Sequence, residues 1–232
     1  MRRTTLLLLL LILAQPALAA DTIRVAAAAN FKPTLQYISQ AFMLETGYRL
    51  KFSSASTGVL SSQVLHGAPF DLLFAADQAS TELIADAGIG EQPFCYAQGQ
   101  LSLVGDAAGL SDLADPALSL AIANPAAAPY GRAAMQVLER PEFRDGANRK
   151  LVRGNNAVQA FQFWHSGSVN LALIPRSLAP AQATDVPQQW HSPLAQYAMV
   201  LKPSIAVDVY IKWLEQPDVQ QQVVAAGYLP CP

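Results

Sequence analysis

The sequence predicts an α/β fold of mostly parallel sheets flanked by helices, and three observations carry the prediction. Short runs of small, β-branched or aromatic residues alternate with segments whose apolar residues recur at helical spacing. Glycines stand where those helical segments should stop, at Gly47, Gly67, Gly88, Gly167 and Gly227. Four turns each follow an expected strand and open an expected helix, which is the logic of βαβ units.

In chain order, residues 1–19 are set apart as a secretory signal peptide. Arg2 and Arg3 form a charged start, a Leu/Ile run follows within 4–14, and Ala17-Leu18-Ala19 is a small-residue cleavage signature. The apolar run is short for a membrane anchor. The expected product is therefore exported, with cleavage near Ala19/Ala20. The leader holds two of the 15 Lys and Arg and none of the 17 Asp and Glu, which leaves 13 basic against 17 acidic side chains. A mildly acidic chain argues against nucleic acid or an anionic membrane as partner.

Residues 22–28 read as a strand. Asn30 is the expected N-cap of a helix with Pro33 in its first turn and Phe31, Leu35, Ile38 and Phe42 on its apolar face. Tyr48, Leu50 and Phe52 alternate as a strand that runs into the hydroxyl-rich turn 53–58. A short helix with Leu60 and Val64 on one face comes next, then a buried strand over 70–75 closed by Asp77. Leu83, Ile84 and Ala87 mark a third helix. The stretch 95–104 is extended and interrupted by Gly99, either a crossing between two lobes or one strand with a bulge.

The second half repeats the theme. A strand over 119–123 leads through 124–130 into a helix over 131–139. A strand over 150–153 leads through Gly154-Asn155-Asn156 into a helix with Ala157, Phe161 and Trp164 on its apolar face. A strand over 169–174 follows, and the extended segment 193–201 is placed to return the chain to the first half. Two helices close the chain, one around Val209 and Trp213, the other from Pro217 through Val223.

Two cysteines in an exported chain, Cys95 and Cys231, read as one disulfide tying the C-terminus to mid-chain, with two separate buried thiols as the alternative. Two distant cysteines and three scattered histidines supply no metal-ligand cluster. His66, His165 and His191 read as surface or capping residues, and Asp71 and Asp77 as caps or ion-pair partners. An exported hydrolase is the rival class, but G-x-S-x-G, S-x-x-K and H-E-x-x-H are absent.

The four turns are Ala28-Ala29-Asn30, Ser56-Thr57-Gly58, Ala128-Pro129-Tyr130-Gly131 and Asn155-Asn156-Ala157. None contains Lys or Arg, although Lys32 and Arg153 adjoin two of them. A helix N-terminus offers unpaired N–H groups and the positive end of the helix dipole, so it suits an anion. Each hydrogen bond to a charged group is worth roughly 1.5–3 kcal/mol, so several converging turns can offset the desolvation of an oxyanion where one or two cannot. Taken singly, Asn30 also reads as a plain cap, Ser56 and Thr57 as turn residues, and the ring of Tyr130 as packing.

AAAANF at 26–31, SSASTG at 53–58, GAPFDLLFAAD at 67–77, IANPAAAPYGRAA at 122–134 and VRGNNAVQ at 152–159 resemble the periplasmic molybdate-binding proteins of ABC importers. The resemblance covers essentially the whole chain after the leader. It implies a type II periplasmic-binding fold, two α/β lobes with mixed, mostly parallel sheets joined by two crossing strands. The implied lobes are 20–97 with 200–232, and 98–199. It also implies a periplasmic, monomeric receptor that captures molybdate or tungstate in the cleft and delivers it to a membrane permease with its ATPase. No catalysis, cofactor or direct metal ligand is implied. Carried over by position, the ligand contacts would be Ala29 through its backbone, Asn30, Ser56, Thr57, the N–H of Tyr130, and Asn156 with the N–H of Ala157. Ala29 stands where the family usually has Ser or Thr, Ala157 where it has Val or Ile, and Ile174 where some members carry a binding Tyr. The missing hydroxyl at 29 keeps a sulfate or phosphate receptor on the same fold as the alternative.

Overall fold

The structure, a computed structural model, describes residues 21–105 and 109–232, so the leader expected over 1–19 lies outside the described residues. The elements run β1 (Thr22–Ala28), α1 (Lys32–Thr46), β2 (Arg49–Ala55), α2 (Thr57–Leu65), β3 (Leu72–Ala75), α3 (Gln78–Asp86), β4 (Phe94–Gly99) and β5 (Leu101–Gly105). They continue with β6 (Leu120–Ala123), α4 (Pro129–Leu138), β7 (Leu151–Gly154), α5 (Ala157–His165), β8 (Leu171–Pro175), β9 (Thr184–Asp185), β10 (Leu194–Val200), α6 (Ile205–Leu214) and α7 (Pro217–Ala225). Short 3-10 turns over 110–114, 141–148, 176–178 and 188–190 fill stretches that the sequence pattern leaves unassigned.

Two five-stranded sheets result, in the orders β2-β1-β3-β10-β4 and β7-β6-β8-β5-β9. The parallel pairings are confined to β2-β1-β3 and β7-β6-β8, where a helix carries the chain back between strands. β10 runs antiparallel to β3 and β4, and β5 antiparallel to β8 and β9. Each sheet is therefore mixed, with parallel and antiparallel pairings in equal number where mostly parallel ones were expected, because β5, β9 and β10 arrive without an α-helix before them.

Gly99 marks a crossing and not a bulge: β4 and β5 belong to different sheets, and only Gln100 separates them. The chain returns between β9 and β10, and the whole of β10 pairs within the first sheet. Sheet membership thus changes at Gln100 and before Leu194, where the expected divisions were 97/98 and 199/200.

Alternation along the strands sorts the first core into two layers. Ile23, Val25, Ala27, Leu72 and Phe74 face α1, α6 and α7, packing on Leu35, Phe42, Tyr210, Trp213 and Val223. Ala26, Leu73, Ala75 and Met199 face Leu60, Val64 and Ile84 of α2 and α3. In the second half, α4 covers one face of its sheet and α5 the other. Arg24 and Asp71 pin β1 to the start of β3: the Arg24 backbone N–H and Nε donate to Asp71 Oδ2 at 2.7 and 3.1 Å, and Nη2 donates to Oδ1 at 2.9 Å. Cys95 and Cys231 are joined, so the disulfide ties β4 to the C-terminus across a sequence separation of 136.

Candidate functional site

The four turns stand at the carboxyl ends of β1, β2, β6 and β7, the two neighbouring parallel strands of each sheet. That is where open α/β sheets place their ligands. The first turn is tight: the Ala29 N–H donates to the Ala55 carbonyl at 3.0 Å and the Phe31 N–H to the Ala28 carbonyl at 2.9 Å. The Ala29 N–H is therefore committed within the fold, contrary to its expected role as a donor to ligand. Asn30 is not the N-cap of α1; Phe31 holds that position, without a side-chain cap. The buried Asn30 side chain instead donates from Nδ2 to Gln196 Oε1 at 2.9 Å and to the Tyr228 hydroxyl at 3.3 Å. Only its backbone N–H remains without an acceptor among the described residues.

Ser56 occupies the N-cap position of α2 in extended conformation, yet its hydroxyl makes no capping bond. Its Oγ is fully buried and has no hydrogen-bond partner among the described residues. A buried, unpaired hydroxyl costs free energy unless something else satisfies it. Thr57 Oγ1 accepts the Ala76 N–H at 3.0 Å, which leaves its own proton available to a further acceptor.

In the second half, Ala128 precedes α4 with Pro129 in the first turn, and the N–H of Tyr130 has no acceptor among the described residues. The Tyr130 ring points away from the turn, and its hydroxyl accepts from Gln196 Nε2 at 3.0 Å. Asn156 caps α5 through the Gln159 N–H at 3.0 Å, so its side chain serves the helix. The Ala157 N–H, one residue on, is without an acceptor among the described residues.

These turns converge. One small cavity, about 10 Å³, is lined by Ala29, Asn30, Ser56, Thr57, Tyr130 and Ala157, together with Ala28, Ala76, Ala128 and Pro129. Of the residues singled out from sequence, Asn156 is the one that does not line it, and Ile174 lies in the core beside α5. The N–H groups of Asn30, Tyr130 and Ala157 and the hydroxyls of Ser56 and Thr57 are among the donors it offers, and no lining residue carries a charge. An ion pair flanks the cavity, where Arg132 on α4 reaches Asp77, the residue after the lining Ala76. Asp77 also caps α3 through the Ser80 N–H, as the structural reading of that residue expects.

Beneath the cavity, burial pushes the phenols of Tyr96, Tyr130 and Tyr228 well above their ordinary range, so they stay neutral. Larger cavities lie elsewhere, one of about 260 Å³ beside the disulfide and one of about 220 Å³ beneath α4, and neither gathers helix N-termini. Among the described residues no group of His, Cys, Asp and Glu could hold a metal ion, and no helix is long and apolar enough to cross a membrane. The chemistry available at the convergence is neutral donation to an anion.

Gln196, which joins Asn30 to Tyr130, was missed in the sequence. Its signal was a polar residue on the buried face of an alternating strand, between Leu194 and Ala198.

Residues 23–229 match the family of bacterial extracellular solute-binding proteins. The chain is 33% identical over 227 residues to molybdate-binding protein ModA of Azotobacter vinelandii, covering 90% of each chain. It is 30% identical over 239 residues to molybdate-binding protein ModA of Rhodobacter capsulatus, covering 97% of this chain and 94% of the relative. The solved periplasmic molybdate-binding protein of Azotobacter vinelandii superposes with a TM-score of 0.83 at 29% identity, over 90% of this chain and all of that one. The sulfate-binding protein SubI from Mycobacterium tuberculosis H37Rv shares the fold, with a TM-score of 0.72 at 15% identity over 90% of this chain and 87% of that one. The chain belongs to the bacterial extracellular solute-binding proteins and, within them, to the periplasmic molybdate-binding family.

Proposed function

We propose that the protein is the periplasmic receptor of an ABC importer, capturing molybdate or tungstate as a tetrahedral dianion between its two sheets. It would hand the anion to a membrane permease coupled to an ATPase. It would act as a binding protein without catalysis or cofactor, as a monomer, and without nucleic acid. The two lobes would be 21–99 with 194–232, and 101–185, hinged where the chain passes between sheets. The observation that carries this reading is the buried Ser56 hydroxyl, unpaired among the described residues and set among N–H groups from both lobes that have no acceptor there. An oxyanion with four acceptor oxygens supplies what that set lacks.

Two filters follow. A lining dominated by N–H donors disfavours a protonated oxyanion, whose O–H would face another donor except at the two hydroxyls. Donors fixed on two lobes disfavour an anion too small to reach both sets at once. Sulfate or phosphate is the second reading, favoured by the absence of a hydroxyl at Ala29 and by its backbone N–H being engaged. Titration calorimetry with molybdate, tungstate, sulfate and phosphate separates the readings. Heat with sulfate or phosphate and none with molybdate would overturn the ligand assignment.

A further inference from the structure

β10 buries one primary amide, that of Gln196, which has no exposed surface. Such a group is costly unless its donors and acceptors are matched. Gln196 Oε1 accepts from Asn30 Nδ2 at 2.9 Å and from the Tyr96 hydroxyl at 2.7 Å, and Nε2 donates to the Tyr130 hydroxyl at 3.0 Å. The Tyr96 hydroxyl also lies 3.2 Å from the Ala75 carbonyl, and its single proton goes to the shorter contact with Gln196. The Tyr228 hydroxyl donates to the Asn30 carbonyl at 2.9 Å and takes a bond from Asn30 Nδ2 at 3.3 Å, which fixes which end of the Asn30 amide faces Gln196.

The partners lie in different parts of the chain. Asn30 ends the turn after β1, Tyr96 lies on β4, and Tyr130 opens α4 in the other half. Asn30 and Tyr130 each contribute a lining N–H without an acceptor, one from each half of the molecule. The crossing strand is shaped around this contact. A Cβ at Gly99 would stand 2.0 Å from the Tyr130 hydroxyl and 2.6 Å from Gln196 Nε2, so only glycine leaves room there.

We propose that Gln196 is a positioning residue that locks the Asn30 and Tyr130 turns to each other through their side chains, holding both N–H groups on the bound oxyanion and slowing its release. The inference rests on the oxyanion-binding reading. Gln196 touches no ligand; it acts through two residues that do. Loss of the amide frees two donors at once, so its effect falls on dissociation more than on association.

The test uses the full exported chain with sodium molybdate, measuring affinity by calorimetry and rates by stopped-flow tryptophan fluorescence. Gln196→Met keeps volume and removes the polar contacts; Tyr130→Phe removes one oxygen and keeps the backbone donor. The expected result is a tenfold or greater rise in dissociation rate for Gln196→Met, a smaller rise for Tyr130→Phe, and association within twofold of wild type. The double variant should be no worse than Gln196→Met alone, since the two act as one unit. Tyr130→Phe is close to isosteric and keeps the test available should Gln196→Met fold poorly. Wild-type rates in a folded variant, or an additive double variant, would overturn the inference while leaving the binding reading in place. A wild-type chain that takes up none of molybdate, tungstate, sulfate and phosphate would overturn both.

Discussion

The N–H of Gly58 donates to the carbonyl of Ala127 at 3.0 Å, joining the turn that opens α2 to the turn that precedes α4. A Cβ at Gly58 would stand 3.2 Å from that oxygen, so the two halves meet here at backbone contact. Gly58→Val should keep the lobes from meeting fully. Affinity for the oxyanion should fall tenfold or more, while the melting temperature of the unliganded protein stays within about 2 °C, the scale of a surface substitution. Calorimetry paired with thermal scanning checks both numbers.

Ser56 and Thr57 should part company on mutation, although they are neighbours in one turn. The Ser56 hydroxyl has no partner among the described residues, so Ser56→Ala should leave unliganded stability unchanged or slightly raised. Its affinity should fall roughly tenfold to a hundredfold, the worth of one hydrogen bond to a charged group at about 1.5–3 kcal/mol.

Thr57→Val should weaken binding and also destabilise, because the Ala76 N–H loses its acceptor. A buried donor left unpaired costs roughly 1–3 kcal/mol, and each kcal/mol moves the melting temperature of a chain this size by about 2–4 °C. Thr57→Ser should restore both properties, which thermal scans and calorimetry of the two variants beside wild type would establish.

The Arg132–Asp77 pair spans the rim of the cleft, with side chains 48% and 18% exposed. A pair this accessible is worth about 0.2–1 kcal/mol and is screened by salt. Arg132→Gln should therefore speed release by no more than about fivefold at low ionic strength, and the difference should vanish near 0.5 M NaCl. A larger, salt-independent effect would place Arg132 in the binding machinery itself.

Removing the Cys95–Cys231 link lengthens the freely fluctuating chain in the unfolded state by a loop closed across 136 positions. The chain-entropy estimate for such a loop is roughly 4–5 kcal/mol, or about 10–20 °C in melting temperature. The Cys95→Ser/Cys231→Ser double variant should melt lower by that order and still bind, since neither cysteine lines the small cavity. Calorimetry of the variant measures both.

Asp71 sets an acid limb. Burial works to raise its pKa, but the hydrogen bonds and charge of Arg24, helped by Lys202, outweigh it and hold the carboxyl below 3.8. A carboxylate depressed on folding stabilises above its unfolded pKa and loses that contribution as pH falls through the folded value. Asp71→Asn should thus melt below wild type at neutral pH, and the two curves should converge as pH is lowered past 3.8. Melting temperature against pH for both proteins decides the matter.

What the sequence made legible was local. Helix starts at the turns before α2, α4 and α5 announce themselves through hydroxyl, Pro and Asn residues whose effect acts over three or four positions. What it hid was set by partners far away. Asn30 has the composition of a cap, but Gln196, 166 positions on, takes its side chain. Ala29 sits where a free N–H was expected, and the neighbouring strand end at Ala55 claims it. Gly99 could mark a bulge or a crossing until the sheet partners of β4 and β5 are known. The motif at 152–159 carried Asn156 toward the ligand, whereas its side chain spends its acceptor on Gln159.

The neutral lining of the small cavity has an electrophoretic consequence. On the proposed reading, a divalent guest enters without meeting a countercharge, so the loaded protein carries two more negative charges than the unloaded one. Filled and unfilled molecules should separate on a native gel or an anion-exchange column without any label, and slow exchange would show as two sharp bands.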